Sequence, residues 1–165
     1  MNPAGLYDDE AQVLAVTVNC RADILSGRAI MGAGAALEFA DNCHPGAPRQ
    51  LGGWILDVGL RPGQTAFLPL PDGRVWAAMA TKDMPGSPSR VHWVKSALVD
   101  LRRGMRERGL TSVALPLPGC GNGHLDPRRV VRLVAEALGG LDYRLYTVAP
   151  AGHTDPMDVD LSEMG

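Results

Sequence analysis

The sequence has few of the residues that would place it outside the cell or in a membrane. Only 3 of its 165 residues are cysteines, and they form no Cys-x-x-Cys pair. An odd number of cysteines without that spacing is typical of reduced thiols and predicts a cytoplasmic protein. No apolar run reaches the roughly 20 residues that cross a bilayer. The first residues also lack the basic and apolar segments of a signal peptide. We therefore expect no membrane association.

Lysine is also scarce, and the net charge is slightly negative. Lys82 and Lys95 stand beside fourteen arginines, and the formal net charge is −2. Non-specific binding to nucleic acid depends on many pairs between basic side chains and phosphates. The composition therefore excludes a general affinity for nucleic acid, and a DNA substrate would have to be held by a local group of residues.

The apolar pattern predicts one α/β domain over residues 1–150. Strands are predicted over residues 13–19, 65–70, 75–81, 112–118 and 143–149, the second and third of them as a hairpin. Helices are predicted over residues 35–43, 89–109 and 127–138. Ligands of such folds bind at the carboxyl ends of the strands. Residues 151–165 form a polar, acidic tail to which we assign no structure.

Two glycine-rich loops stand where a predicted strand leads into a predicted helix. Residues 32–34 read Gly-Ala-Gly, and residues 119–123 read Gly-Cys-Gly-Asn-Gly. After the second loop, Asp126 is a good N-cap and Pro127 suits the first helical position. Glycine lets a ligand approach the backbone, and helix N-termini attract anions. The loops match neither the P-loop nor the dinucleotide fingerprint. The glycines therefore predict a diphosphate site, with simple turns as the alternative.

Three segments together resemble the macro domain family. They are MGAGAALEF (31–39), TKDMPGSPSR (81–90) and LPGCGNGHLD (117–126). Their order and near-spacing are similar to the branch that joins terminal ADP-ribose protein glycohydrolases and antitoxins that reverse DNA ADP-ribosylation. The similarity extends over residues 5–148. It implies a mixed central sheet between helices, without the usual first strand, and a diphosphate of ADP-ribose held by the two glycine loops.

The resemblance also implies the residues that bind ADP-ribose. They are Asn19, Cys20, Ser26, Met31, Gly32, Ala33, Gly34, Pro118, Gly119, Cys120, Gly121, Asn122, Gly123 and His124. We include Ser26 because the glycohydrolase branch has a serine five residues before its methionine.

Several positions depart from the family pattern. Gly5 replaces the aspartate that contacts adenine, with Asp8 and Asp9 as nearby substitutes. Gly123 stands where the protein glycohydrolases carry an aspartate. His124 replaces a glycine, and is either an acid–base group or an exposed loop residue. Cysteine–histidine metal spacing is absent, so we expect no metal and no cofactor.

Lys82 matches the family's catalytic lysine and follows a predicted buried strand. A neutral amine there can attack the anomeric carbon of the distal ribose, whereas a protonated amine can stabilise the leaving group. The resemblance implies hydrolysis of ADP-ribose from a base in single-stranded DNA or from a protein carboxylate ester. It also implies a cognate ADP-ribosyltransferase as a partner.

Two other function classes fit parts of the sequence. The first is a reader module that binds ADP-ribose without cleaving it, and such a module has no need of Lys82. The second is a dinucleotide-dependent oxidoreductase, but the sequence lacks its glycine fingerprint and the acidic residue that follows it.

Overall fold

The predicted strands pair into one mixed sheet. The computed structural model describes residues 4–121, 123–148 and 154–156. Its strands are β1 (Val13–Val18), β2 (Ala22–Asp23), β3 (Arg28–Ala29), β4 (Thr65–Pro69), β5 (Val75–Ala80), β6 (Ser112–Pro116), β7 (Asp142–Val148) and β8 (Thr154–Pro156). Six of them form a sheet in the order β4-β5-β1-β6-β7-β8, and β2 and β3 form a separate hairpin.

Four neighbouring strands of the sheet are parallel. β1 pairs in parallel with β5 and β6, and β6 pairs in parallel with β7. The edge strands β4 and β8 are antiparallel to their neighbours. The carboxyl ends of β5, β1, β6 and β7 therefore meet at one edge of the sheet, where a ligand site is expected.

Helices cover both faces of the sheet. They are α1 (Ala4–Tyr7), α2 (Gly34–Asn42), α3 (Ala47–Asp57), α4 (Val91–Glu107) and α5 (Pro127–Leu138). Successive side chains of β1 alternate between the two cores: Leu14 and Val16 pack with α2 and α3, whereas Val13 and Ala15 pack with α4 and α5. A strand that is buried on both faces reads as a continuous apolar run, as residues 13–18 do.

The predicted α/β fold with a mixed sheet between helices is confirmed. The hairpin forms with Thr65 opposite Met79 and Pro69 opposite Val75. The described chain begins with helix α1 rather than a strand, as the resemblance implied. None of the helices in the described part is long and apolar enough to cross a membrane.

Five elements were not predicted from the sequence. Helices α1 and α3 and the β2–β3 hairpin fall in segments that received no element. The prediction that β7 is the last strand is wrong, because Thr154–Pro156 forms β8 and pairs with β7. Thr154, Asp155 and Pro156 show no apolar alternation, so the assignment of no structure to residues 151–165 overlooked this strand.

Candidate active site

A cavity of about 650 Å³ lies at the carboxyl edge of the four parallel strands. Its walls come from the ends of β1, β5, β6 and β7 and from the loops that begin α2 and α5. The two predicted glycine loops therefore face one cavity. Its volume falls in the range of small-molecule sites.

Most of the predicted site residues line this cavity. They are Asn19, Met31, Gly32, Ala33, Gly34, Lys82, Gly119, Cys120, Gly121 and Gly123. Asn122 lies outside the described residues. The lining also contains residues that the sequence analysis did not single out, among them Thr17, Ser89 and Tyr146.

Four predicted residues lie outside the lining. Ser26 is exposed in the β2–β3 turn, where its Oγ accepts a hydrogen bond from the Arg28 N–H at 3.3 Å. Pro118 is buried, and His124 is exposed with a φ of 63°. Cys20 is buried and is not among the lining residues. For these four residues, the structure gives no direct access to a ligand in the cavity.

The N-terminus of α2 is open toward the cavity. Ala33 occupies the N-cap position in an extended conformation, and no side chain caps the helix. The first N–H groups of a helix have no partner within the helix and attract negative charge. Gly32 faces open space, because a Cβ there would meet no atom within 4 Å. This end of α2 suits an anion such as a phosphate.

The glycines of the second loop serve different purposes. A Cβ on Gly123 would lie 2.4 Å from the Ser89 Oγ and 2.5 Å from the Gly119 carbonyl oxygen, so no side chain fits there. Gly119 has a φ of 78° and packs against Leu125. Gly121 alone faces open space. The outer glycines fold the loop, and Gly121 leaves room for a ligand.

The N-terminus of α5 differs from the sequence expectation of exposed N–H groups. Asp126 caps the helix, and its carboxylate accepts a hydrogen bond from the Arg128 N–H at 3.0 Å. Pro127 at the first position has no N–H to offer. The predicted cap is confirmed, but the same carboxylate places a negative charge where an anion would bind. The α2 end is therefore the better anion site.

Asn19 connects the end of β1 to the first glycine loop. Its Nδ2 donates to the Ile30 carbonyl at 2.8 Å, and its Oδ1 accepts from the Arg21 N–H at 2.9 Å. Both ends of the amide are thus engaged within the protein. Asn19 fixes the chain just before Met31, where the loop begins.

Lys82 follows β5 and is the only charged side chain among the described residues that line the cavity. Its backbone is held from the β1 side, because the Cys20 thiol donates to the Lys82 carbonyl at 3.5 Å. The Cys20 N–H donates to the Asp83 carbonyl at 3.1 Å, and Arg21 pairs with the Asp83 carboxylate at 3.2 Å. These contacts fix the backbone of Lys82 at the carboxyl edge of the sheet.

The thiols near the cavity are protonated at neutral pH. Burial raises the pKa of Cys120 to about 12, and the negative charge of Asp126 adds to the shift. Burial likewise raises the pKa of Cys20 to about 12. All three cysteines are free, as predicted. Because the thiolate is the reactive form, neither Cys20 nor Cys120 has the properties of a nucleophile.

Tyr146 closes the cavity on the β7 side. The Tyr146 hydroxyl donates to the Asp9 carboxylate at 2.7 Å. Burial, and to a smaller extent this hydrogen bond, raises the pKa of Tyr146 to about 12. Asp9 is buried, accepts from the Ala11 N–H at 2.8 Å and pairs with Arg144. Asp9, a predicted substitute for the adenine aspartate, therefore already has protein partners for both oxygens.

Comparisons with known proteins give relatives of this chain in sequence and in fold. No family model matches the sequence. The DNA ADP-ribosyl glycohydrolase of Mycobacterium tuberculosis is 29% identical over 140 residues, which cover 78% of this chain and 35% of that protein. The chain thus spans about a third of the length of the curated relatives that it matches.

Solved structures extend the comparison to the fold. The macrodomain of M. tuberculosis DarG has a TM-score of 0.74 and 28% identity, over 85% of this chain and 91% of that one. This chain has the macro domain fold, and its sequence is similar to that of DarG macrodomains. Thermosipho africanus DarTG, solved in complex with ADP-ribose, has a TM-score of 0.75 and 18% identity, over 97% of this macro domain and 42% of that chain.

Proposed function

We propose that this macro domain binds ADP-ribose in the cavity and hydrolyses its bond to a modified macromolecule, with Lys82 as the catalytic residue. One observation carries the proposal: the only charged side chain among the described lining residues is an amine, and two glycine loops line the same cavity. The names of the M. tuberculosis relative and of the T. africanus complex support the same ligand and reaction.

The diphosphate would lie at the open N-terminus of α2. Backbone N–H groups and the helix dipole attract its charge there, and Gly32 and Gly121 leave room for it. The distal ribose would then lie between the loops, near Lys82. This orientation would bring the anomeric carbon to the Lys82 amine.

Lys82 can act in two ways. As a neutral amine, its nitrogen attacks the anomeric carbon, and the bond to the base or carboxylate breaks with its electron pair on the leaving group. In the resulting glycosylamine, the bond between the anomeric carbon and the ring oxygen breaks as a proton passes from the nitrogen to that oxygen, which leaves an open-chain imine with Lys82. Water then adds to the imine and releases ADP-ribose and the free amine. As an ammonium, Lys82 stabilises the charge on the leaving group while water attacks directly.

Substitution of Lys82 tests the proposal. Lys82→Ala should lower the hydrolysis rate at least 100-fold, about 2.7 kcal/mol of barrier. Affinity for ADP-ribose should change much less, because the amine acts mainly in the transition state. Lys82→Arg should not restore the nucleophilic route, since a guanidinium stays protonated. Borohydride should trap an adduct in the wild type only if the imine forms.

Substrates with both linkages should be tested in parallel: an ADP-ribosylated single-stranded oligonucleotide and an ester-linked ADP-ribosylated protein. A Lys82→Ala protein that cleaves both at the wild-type rate contradicts the assignment of Lys82.

The reader module remains the second candidate. No carboxylate lines the cavity among the described residues, so a general acid or base of that type is missing there. A wild-type protein that binds ADP-ribose and cleaves neither substrate would establish the reader instead.

A further inference from the structure

Two short segments of this chain carry basic side chains and no acidic ones. Residues 90–98 and 127–133 contain five of the sixteen lysines and arginines and none of the eighteen acidic residues. These segments are the N-terminal parts of α4 and α5. The remaining sequence carries eleven basic and eighteen acidic side chains. The net charge of −2 therefore conceals a local basic surface.

The two segments lie side by side at the cavity. At one end of the helix pair, the Ser89 N–H donates to the Gly123 carbonyl at 3.1 Å. At the other end, Arg102 of α4 donates to the carbonyls of Ala137 and Gly139 at 2.9 and 2.7 Å. The helices are thus parallel, and both begin next to Ser89 and Gly123, which line the cavity.

The basic side chains of these segments are exposed. We call them the basic helix face: Arg90, Lys95, Arg128, Arg129 and Arg132. The acidic residues nearest to these arginines are Asp126, whose carboxylate caps α5, and the exposed Glu136, four residues beyond Arg132.

An aromatic surface adjoins the basic helix face. The Arg90 guanidinium lies 5.1 Å from the centroid of the half-buried Trp93 ring, and the His92 ring lies 5.6 Å from it. Proteins that bind single-stranded nucleic acid combine basic residues for the phosphates with aromatic residues on which bases stack. An acidic peptide would match the charge but has no bases for the aromatic surface.

We propose that the basic helix face binds the phosphates of a single-stranded DNA whose ADP-ribosyl group occupies the cavity. The proposal rests on the proposed function for its assignment of the cavity to ADP-ribose. On this proposal, the side chains of the basic helix face select DNA over protein as the macromolecule that carries the modification. It also explains how a chain without general affinity for nucleic acid holds a DNA substrate.

The test compares two double variants of equal charge change. Arg129→Gln with Arg132→Gln alters the basic helix face, whereas Arg49→Gln with Arg106→Gln alters exposed arginines on α3 and in the last turn of α4. All proteins carry Lys82→Ala so that the linkage stays intact. Fluorescence anisotropy measures affinity for a mono-ADP-ribosylated single-stranded 15-mer over a range of salt concentrations.

The basic-face variant should bind the oligonucleotide more weakly and with a smaller salt dependence. Each lost phosphate contact lowers the slope of log affinity against log salt by about 0.7 on a single strand, so two should lower it by about 1.4. The control variant should keep the wild-type slope. Calorimetry should give one affinity for free ADP-ribose in all proteins, and an ADP-ribosylated peptide should bind both variants equally.

Equal slopes in the two variants would overturn the proposal, and so would an equal loss of affinity for peptide and DNA. The outcome is separable from that of the proposed function. A slope change in a protein that cleaves neither substrate would support the DNA surface and contradict the hydrolase. Cleavage without a slope change would support the hydrolase and contradict the surface.

Discussion

The two helices that begin at the cavity present different N-termini to it. No side chain caps α2, which starts at Gly34 after an extended Ala33. α5 starts at Pro127, and the Asp126 carboxylate caps it. The N-terminus of α2 offers backbone N–H groups that no side chain occupies. At the N-terminus of α5, Pro127 has no N–H and the Asp126 carboxylate occupies another. In sequence the two junctions look alike, but only the α2 junction offers uncapped backbone N–H groups to a phosphate.

The glycines show the same division. Gly32 and Gly121 face open space, so their lack of a side chain serves a ligand. Gly119 and Gly123 are in close contact with Leu125 and Ser89, so their lack of a side chain serves packing. A glycine-rich loop beside a cavity is therefore a mixture of two kinds of position, and substitutions can separate them.

The largest effect should come from filling the open positions. Gly32→Val or Gly121→Val should weaken binding of ADP-ribose at least 100-fold, about 2.7 kcal/mol, because the side chain occupies ligand space. Neither glycine has a positive φ, so the backbone accepts valine. Calorimetric titration measures the affinity, and thermal unfolding should remain cooperative.

Gly53→Val is the matched control for these variants. Gly53 also faces open space and has no positive φ, but it lies on α3 away from the cavity. It should bind ADP-ribose as the wild type does. Unchanged affinity in the Gly32 and Gly121 variants would contradict the assignment of the loops, as would wild-type protein that fails to bind ADP-ribose at millimolar concentration.

The next effect concerns stability at the packed positions. Gly123→Ala places a methyl group against the Ser89 Oγ and the Gly119 carbonyl, so it should lower the free energy of unfolding by about 1–3 kcal/mol. Gly121→Ala should leave stability within about 0.5 kcal/mol of wild type. Urea unfolding of the two variants measures the contrast, and equal stabilities would contradict it.

The sequence predicts the fold well where periodicity and packing agree. The run at 13–18 is buried on both faces, and the stop at Gly109 follows a helix with a regular apolar face. Helix α3 was missed because Gly52 and Gly53 interrupt it and disfavour a helix. The structure shows why Gly52 is there: a Cβ would lie 2.1 Å from the Gly27 carbonyl of the β2–β3 hairpin. A tertiary contact therefore requires glycine at position 52, and helix propensity, which depends on the local sequence alone, does not reveal that contact.

The candidate site was predicted less completely than the fold. Motifs identified Lys82 and both glycine loops, because these residues stand at strand-to-helix junctions. Tyr146 and Ser89 have no motif of their own and join the cavity only through the sheet order and the pairing of α4 with α5. The role of Asp126 as a competing charge also required the structure, since a capping residue and an anion site give the same sequence pattern.

A smaller effect should follow from changing the α5 cap. Asp126→Ala should lower the free energy of unfolding by about 1 kcal/mol, because an N-cap bond is lost. Asp126→Asn can still cap the helix but removes the charge. It should therefore keep its stability and strengthen binding of ADP-ribose by a few-fold at most, in line with about 0.3–1 kcal/mol for a charge at a helix end. Weaker binding by Asp126→Asn would show that the carboxylate itself contacts the ligand.

The smallest effect should come from the thiol of the second loop. Cys120→Ala should change the hydrolysis rate less than about twofold, because a pKa of about 12 leaves roughly one thiolate in 10⁵ at pH 7. A larger loss of rate with unchanged ADP-ribose affinity would make Cys120 a participant in turnover.

The same thiol predicts how stability changes with pH. The folded protein holds the Cys120 proton up to a pKa of about 12, whereas the thiol titrates near its ordinary value of 9.0 once unfolded. Between these values the native state binds more protons than the unfolded state, so stability falls as pH rises. This contribution to the free energy of unfolding is complete below pH 9 and is lost toward pH 12.

Cys20 titrates in the same direction, so Cys120→Ala removes only part of the pH dependence of stability. Urea unfolding at pH 7.5 and 10.5 should show a smaller loss of stability for Cys120→Ala than for the wild type, and an equal loss would mean that the Cys120 thiol is not shielded by the loop.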